Sequence, residues 1–292
     1  PERREFIWGL REAAVPLLYR RRDGLLPLAF IEDVAVPPEA LPEYLSCLEK
    51  ILGRHKIEFT CYGHAGPGEL HVRPFISPAK EIHLIPRIAE EVFREALRLG
   101  GTASGEHGDG LLRSFFIREQ YGEELYRLFK ELKSLFDPEG ILNPGKKITE
   151  EAELPLRDLR YVKGQGVFGV EIPSKELALE KNELSRCALA CTGCGTCRTE
   201  KPKKRVCPVF RALGTEEASP RAKANILREI ATGNLSLKQA QRVLDLCLWC
   251  RSCKRECPSG LAVPEAILEL RSRSAKALGL RPEKRLLTSL AE

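Results

Sequence analysis

Apolar positions along the first 150 residues change period several times. Residues 28–36, LAFIEDVAV, are dense in aliphatic and aromatic side chains and read as a strand. Pro37-Pro38 opens a helix in which Leu41, Tyr44, Leu45, Leu48, Ile51 and Leu52 recur at helical spacing as far as Gly53. Residues 57–62 and 70–75 read as strands around the glycine-rich turn GHAGPG. A second helix is expected from Ile85 to Leu99, with Ile88, Ala89, Val92, Ala96 and Leu97 on one face and Gly100-Gly101 as its stop. A third carries Tyr121, Leu125, Leu128, Phe129, Leu132 and Leu135 and halts at Asp137-Pro138. Strands that alternate with helices at hairpin-like spacing predict an α+β layer with an antiparallel sheet.

Residues 148–180 hold several glycines and prolines and no sustained period, which predicts a linker or wrapping arm. Beyond residue 181 only helical patterns appear. Pro220 to Ile230 and Ser236 to Leu248 form an expected antiparallel pair joined by Thr232-Gly233-Asn234, with Ser236 as N-cap, and a last helix follows Pro264. The predicted organisation is an α+β domain over 1–148, an arm over 149–180 and an all-α domain over 181–292.

A length of 292 residues agrees with two domains. The formal charge of +6 hides an asymmetry: residues 181–292 hold 22 Lys/Arg against 11 Asp/Glu, while the first 180 residues carry a net −5. A basic half is a signal for nucleic acid. Here the basic side chains (Arg198, Lys201, Lys203, Lys204, Arg205, Arg251, Lys254, Arg255) crowd the cysteines instead, and compensation of an anionic centre explains them better. There is no signal peptide and no apolar run long enough to span a membrane. The chain starts at Pro1 and contains no methionine, which reads as a processed chain, an excised fragment or part of a longer sequence.

Eight of the eleven cysteines sit in two runs: Cys191-x2-Cys194-x2-Cys197 with a later Cys207-Pro208, and Cys247-x2-Cys250-x2-Cys253-x3-Cys257-Pro258. The second run is the bacterial ferredoxin spacing, in which the fourth cysteine ligates the other cluster. Three thiolates at three-residue steps wrap one cubane, and the proline turns the chain so that the fourth thiolate reaches across. This predicts one [4Fe–4S] cluster on Cys191, Cys194, Cys197 and Cys257, and another on Cys247, Cys250, Cys253 and Cys207. A four-cysteine zinc site uses paired knuckles and would leave a third cysteine over in each run. A disulfide framework suits short secreted chains. Cys187, four residues before Cys191, reads as a buried thiol or a replacement ligand, and Cys47 and Cys61 as core residues. Cluster ligands must stay reduced, so the cytoplasm or the inner face of its membrane is the expected compartment.

A second constellation lies in YGHAGPGELHVR (62–73) and GGTASGEHGDG (100–110). If the chain doubles back at its glycine turn, the imidazoles of His64 and His71 converge, and Glu106 and His107 lie in another glycine-rich loop. Two histidines and a carboxylate make a candidate divalent-metal site with open positions. His107, beside a ligand, is a candidate general base. The glycine patterns lack the G-x-G-x-x-G of dinucleotide-binding turns.

Four stretches carry a family resemblance: EDVAVP (32–37), YGHAGPGELHVRP (62–74), GGTASGEHGDG (100–110) and FDPEGILNPGK (136–146). Through them residues 1–148 resemble the C-terminal cap domain of FAD-linked oxidases, the family of glycolate oxidase, D-lactate dehydrogenase and D-2-hydroxyglutarate dehydrogenase. SPRAKANILRE (219–229), LCLWC and ECPSG make residues 187–270 similar to the ferredoxin segment fused to such oxidases, and to the C subunit of anaerobic glycerol-3-phosphate dehydrogenase. The resemblance implies that His64, His71 and Glu106 hold a divalent metal (Zn, Mn or Fe) that binds the substrate's carboxylate and hydroxyl. It implies that His107 removes the hydroxyl proton as hydride leaves the α-carbon. Arg11, in WGLREA, aligns with an arginine that grips a substrate carboxylate, and Asn143 lies in a stretch that approaches the flavin.

Pro67 and Glu69 depart from the family, which has Asp and Asn there; Ile31 stands where some dicarboxylate-specific members have Lys, which favours a small monocarboxylic acid. The implied FAD-binding domain would precede residue 1 or be a separate subunit. The implied acceptor is a quinone, an electron-transfer flavoprotein or a cysteine-rich subunit. The expected function is part of a flavin-dependent D-2-hydroxy-acid dehydrogenase. The alternative is a non-catalytic iron–sulfur electron-transfer subunit.

Overall fold

The computed structural model describes residues 2–21, 23–156, 159, 162–163, 166–167, 183–200, 206–282 and 284–285. The chain divides into two compact units, one formed by Arg22–Gly169, the other by Pro1–Arg21 together with Val170–Glu292.

The Arg22–Gly169 unit is α+β. Its strands are β1 (Leu26–Pro27), β2 (Val34–Ala35), β3 (Phe59–His64) and β4 (Glu69–Ile76), all antiparallel. Strand β4 is central: β3 pairs along its whole length on one edge, and β1 and β2 take the two ends of the other edge. The single strand expected over 28–36 is therefore two short pieces. Leu28 N–H still reaches the Pro74 carbonyl (2.9 Å) and Asp33 N–H the Leu70 carbonyl (3.0 Å). Between them the ladder is interrupted, because Pro74 has no N–H to give and Asp33 sits at φ 74°, outside the extended region.

Side chains alternate along β4. Leu70, Val72 and Ile76 go to one face and are buried with Leu48, Ile88, Val92 and Phe93. Burying each such aliphatic side chain stabilises the fold by about 1.5–3 kcal/mol. Glu69, His71 and Arg73 take the opposite face. Two helices supply the rest of this core, α2 (Leu41–Arg54) and α3 (Ile85–Arg98), in the places expected. The long α4 (Ile117–Phe136) stops at Asp137, also as expected, but is broken at Gly122, whose φ of 79° is not helical. In the region expected as an arm, Val162–Lys163 and Gly166–Val167 pair as a two-residue ribbon, β5 and β6; much of 157–182 lies outside the described residues.

The other unit is helical among its described residues. It starts with α1 (Glu2–Leu18), and Arg20 Nε donates to the Pro258 carbonyl at 2.6 Å. Then come α5 (Glu183–Leu189), α6 (Pro208–Leu213), α7 (Pro220–Ala231), α8 (Leu237–Asp245), α9 (Ser252–Glu256) and α10 (Val263–Leu278). Ser219 and Ser236 cap α7 and α8 by accepting from Ala222 N–H and Gln239 N–H, and Gln239 returns the contact to close a capping box. Helix α8 ends three residues before the expected Leu248, since Trp249 and Arg251 adopt left-handed backbone angles around the second cysteine run. No helix among the described residues is long and apolar enough to cross a membrane.

Candidate functional site

The β3–β4 hairpin brings the histidines together by register. His64 lies directly opposite Glu69, and Tyr62 opposite His71, so that all four share one face. Close approach requires glycine both in β3 and in the turn: a Cβ on Gly63 would fall 2.1 Å from the Glu69 carbonyl oxygen, and one on Gly68 1.8 Å from that of Val36.

The 100–110 loop is held against this face by Asp33, which has no exposed surface. Its carboxylate accepts from Ser104 Oγ (2.5 Å), from Glu106 N–H (2.8 Å) and from His107 N–H (3.1 Å). Burial alone would raise the pKa of Asp33; these hydrogen bonds outweigh it and hold the group ionised below its ordinary value. Glu32 organises the opposite wall. It accepts from Arg73 Nη2 and His107 Nδ1, both at 2.9 Å, while its carbonyl takes Arg113 Nη2 at 2.5 Å.

Three ring nitrogens face one carboxylate oxygen. Glu106 Oε1 is 3.1 Å from His107 Nε2, 3.2 Å from His71 Nε2 and 3.7 Å from His64 Nε2. The His71 and His107 rings stack at 5.0 Å, and His64 meets His71 edge-on at 5.4 Å. The structure thus brings together His64, His71, Glu106 and His107. Donor atoms of Asp33, His71, Glu106 and His107 lie within 4.8 Å of one another, as do those of His64, Glu69 and Glu106.

The electrostatics favour neutral imidazole at His71, where burial and then the neighbouring His107 and His64 outweigh the pull of Glu32 and Glu106 and lower the pKa. Burial works the same way on His107, but the hydrogen bond and charge of Glu32, with Asp33 and Glu106, overcome it and raise the pKa. A proton on Nδ1 satisfies the Glu32 carboxylate, which can only accept, while Nε2 faces Glu106 Oε1 at 3.1 Å. Glu69, 4% exposed, is pushed up to about 7 by burial, by its hydrogen bond with Asp33 and by the charges of Glu106 and Asp33.

His107 also lies at the mouth of an open groove of about 780 Å³. Tyr121, Phe129, Leu132, Phe136 and Leu142 form its apolar wall, and Asn143, Lys146 and Lys147 its polar edge. Asn143 sits at φ 48° and accepts from Lys146 Nζ at 3.2 Å. Arg11 belongs to the other unit, on an exposed part of α1, its guanidinium 5.5 Å from the centre of the Trp8 ring. Ile31 is fully buried.

In the helical unit the cysteines gather in two hollows. One is lined by Cys207, Cys247, Cys250 and Cys253, with Lys223. The other is lined by Cys191, Cys194, Cys197 and Cys257, with Cys253 at its border and Arg221 beside it. The two runs wrap alike: Gly193 and Gly195 flank Cys194 at φ 73° and 74°, and Trp249 and Arg251 flank Cys250 at φ 53° and 60°. No cysteine is in a disulfide. Burial, followed by repulsion from neighbouring thiolates, pushes the thiols of Cys197 up to about 11 and Cys253 up to about 12. A metal centre that bound such sulfurs would displace their protons into solvent. Lys223, 3% exposed, donates its ammonium to the carbonyls of Ala218 (2.7 Å) and Glu217 (3.1 Å). Cys187 is buried as expected, but Cys61, on β3, is exposed and Cys47, on α2, only half-buried.

Sequence reasoning missed Glu32, Asp33 and Arg113. The motif EDVAVP marked the first two, yet two acidic residues in a strand-like run look solvent-facing, and their partners in the 104–107 loop lie more than 70 residues away.

The chain belongs to a family of flavin enzymes: residues 1–147 match the family described as FAD linked oxidases, C-terminal domain, and residues 187–261 match the 4Fe-4S dicluster domain. Among curated proteins it is 28% identical to the D-2-hydroxyglutarate dehydrogenase of Escherichia coli (strain K12), over 89% of this chain and 29% of that protein. It is 33% identical to glycolate oxidase subunit GlcD of Bacillus subtilis, over 48% of this chain and 32% of the relative. It is 35% identical to the D-lactate dehydrogenase of Archaeoglobus fulgidus, over 40% of this chain and 26% of the relative. The chain thus spans about 29% of the length of the D-2-hydroxyglutarate dehydrogenase it matches.

Proposed function

We propose that this chain is the cap and iron–sulfur portion of a flavin-dependent D-2-hydroxy-acid dehydrogenase. The observation that carries the proposal is the convergence of His64, His71 and His107 on Glu106 beside an apolar groove, in a chain that also gathers eight cysteines into two hollows. When bound, FAD from a separate domain or subunit supplies the two-electron acceptor, and two [4Fe–4S] clusters supply one-electron carriers towards a quinone or protein acceptor.

The chain's own residues divide the remaining work. His64, His71 and Glu106 fit a divalent cation (Zn, Mn or Fe), since neutral imidazole and carboxylate are its usual donors. A cation bound there would polarise the substrate's hydroxyl and carboxylate. His107 takes the hydroxyl proton at Nε2, while Glu32 holds the ring by Nδ1 and stabilises the imidazolium that forms. Arg11 is assigned the substrate carboxylate and Asn143 the flavin edge of the groove. Ile31 adds no charge for a second carboxylate, which favours a monocarboxylic substrate of the lactate or glycolate type. Cys191, Cys194, Cys197 and Cys257 are assigned to one cluster and Cys207, Cys247, Cys250 and Cys253 to the other, a division supported by the two hollows although Cys253 borders both.

The test is His107→Ala in the anaerobically purified complex with the FAD-binding partner. Substrate-driven flavin bleaching is expected to slow by roughly 10²–10⁴. Cluster reduction by dithionite bypasses this step and stays unchanged. Near-normal bleaching in the variant would remove His107 from the mechanism.

A further inference from the structure

Glu69 is the buried acidic side chain of this site to which the roles above give no task. It replaces the family's Asn, and the register sets it directly across from His64 and on the same face as His71. It is 4% exposed, and its Oε1 has no hydrogen-bond partner. That oxygen lies 3.7 Å from His71 Nε2, the nitrogen that also faces Glu106 at 3.2 Å. Gly105 leaves room for the longer side chain: a Cβ there would fall 3.1 Å from both Cγ and Cδ of Glu69.

These spacings have a metric meaning. Ligand atoms at about 2.1 Å from a tetrahedral cation stand roughly 3.4 Å from one another. Three of the six edges of such a tetrahedron, His71–Glu106, His71–Glu69 and His64–Glu106 at 3.2, 3.7 and 3.7 Å, straddle that length. A buried carboxylate oxygen with no donor is unfavourable unless a cation meets it.

We propose that Glu69 is a further protein ligand of the divalent cation, joining His64, His71 and Glu106 in a site of two imidazoles and two carboxylates. The inference rests on the cation reading of the other three residues. A second carboxylate neutralises the ion's charge and makes the donor set harder, so binding of Mn²⁺ in particular strengthens.

The probe is Mn²⁺ itself, titrated into the anaerobically purified, cluster-loaded chain and followed by loss of the free-ion EPR signal; Mn²⁺ avoids the thiol chemistry that Zn²⁺ would share with the cysteines. Wild type, His71→Ala, Glu69→Gln and Glu69→Asn are compared, with thermal midpoints measured with and without Mn²⁺. The expected result is a weakening of roughly tenfold or more in both Glu69 variants, with a smaller Mn²⁺-induced rise in midpoint and an unaltered or higher midpoint without the ion. Wild-type affinity in Glu69→Asn, with binding lost in His71→Ala, would overturn the role of Glu69 and leave the three-ligand site standing. No binding by wild type, with His71→Ala indistinguishable from it, would overturn both.

Discussion

Gly193 and Trp249 hold the same place in the two cysteine loops, one residue before the central cysteine, and both have positive φ. Glycine adopts that conformation without cost, whereas an L side chain costs about 1–2 kcal/mol. Gly193→Val is therefore expected to displace Cys194 and empty its hollow, lowering iron from about eight to about four atoms per chain. Trp249→Gly relieves strain and is expected to keep its iron. An equal loss in both variants would show that the loops do not depend on this backbone turn. The pair also marks where the sequence stops being informative. Glycines beside Cys194 announce a left-handed turn, but a left-handed Trp or Arg leaves no signal, because the surrounding fold imposes it. Asp33 is similar: its positive φ and its grip on 104–107 come from contacts across the sheet that no local pattern contains.

At the scale of elements, the hairpin and α2, α3 and α4 were legible, since alternation, helical spacing and glycine or proline stops agree there. The run 28–36 misled because apolar density says nothing of an interrupted ladder. The end of α4 carries its own pH sensitivity. Asp137 accepts from Lys133 Nζ and from the N–H groups of Ile141 and Leu142 at 2.9 Å, while Lys133 also donates to the Leu142 carbonyl at 2.7 Å. The Lys133 contact first, then these backbone donors, against burial, hold Asp137 below the usual carboxylate range. A depressed folded pKa gives stability that is present above the unfolded value of about 3.9 and is lost as pH falls through the folded value. Asp137→Asn is thus expected to lower the thermal midpoint at neutral pH, with the gap closing as pH drops below about 3.9. A gap that does not change with pH would mean that the carboxylate's charge is not what holds the Asn143 loop.

Across the whole molecule, the two hollows differ more in their cations than in their backbones. Lys223 is buried among the contacts of Cys207, Cys247 and Cys253, whereas Arg221 sits against the other hollow and is already paired with Glu216 at 2.7 Å. A buried positive charge stabilises the reduced, more negative state of a nearby cluster. Lys223→Met is expected to lower the midpoint potential of one cluster and spare the other, as read by EPR-monitored redox titration. Equal shifts in both would assign Lys223 a packing role only.

The hollows also share their walls in a crossed way: Cys257 closes the one that starts at Cys191, and Cys207 closes the one built on Cys247 to Cys253. On a ribosome, the first run emerges with Cys187 and Cys207 as its spare thiols, some fifty residues before Cys257 exists. On the ligand sets proposed above, cluster delivery that ran ahead of translation would therefore meet a different set of four. The order in which chain and inorganic cargo arrive is part of the information needed to build this half of the molecule.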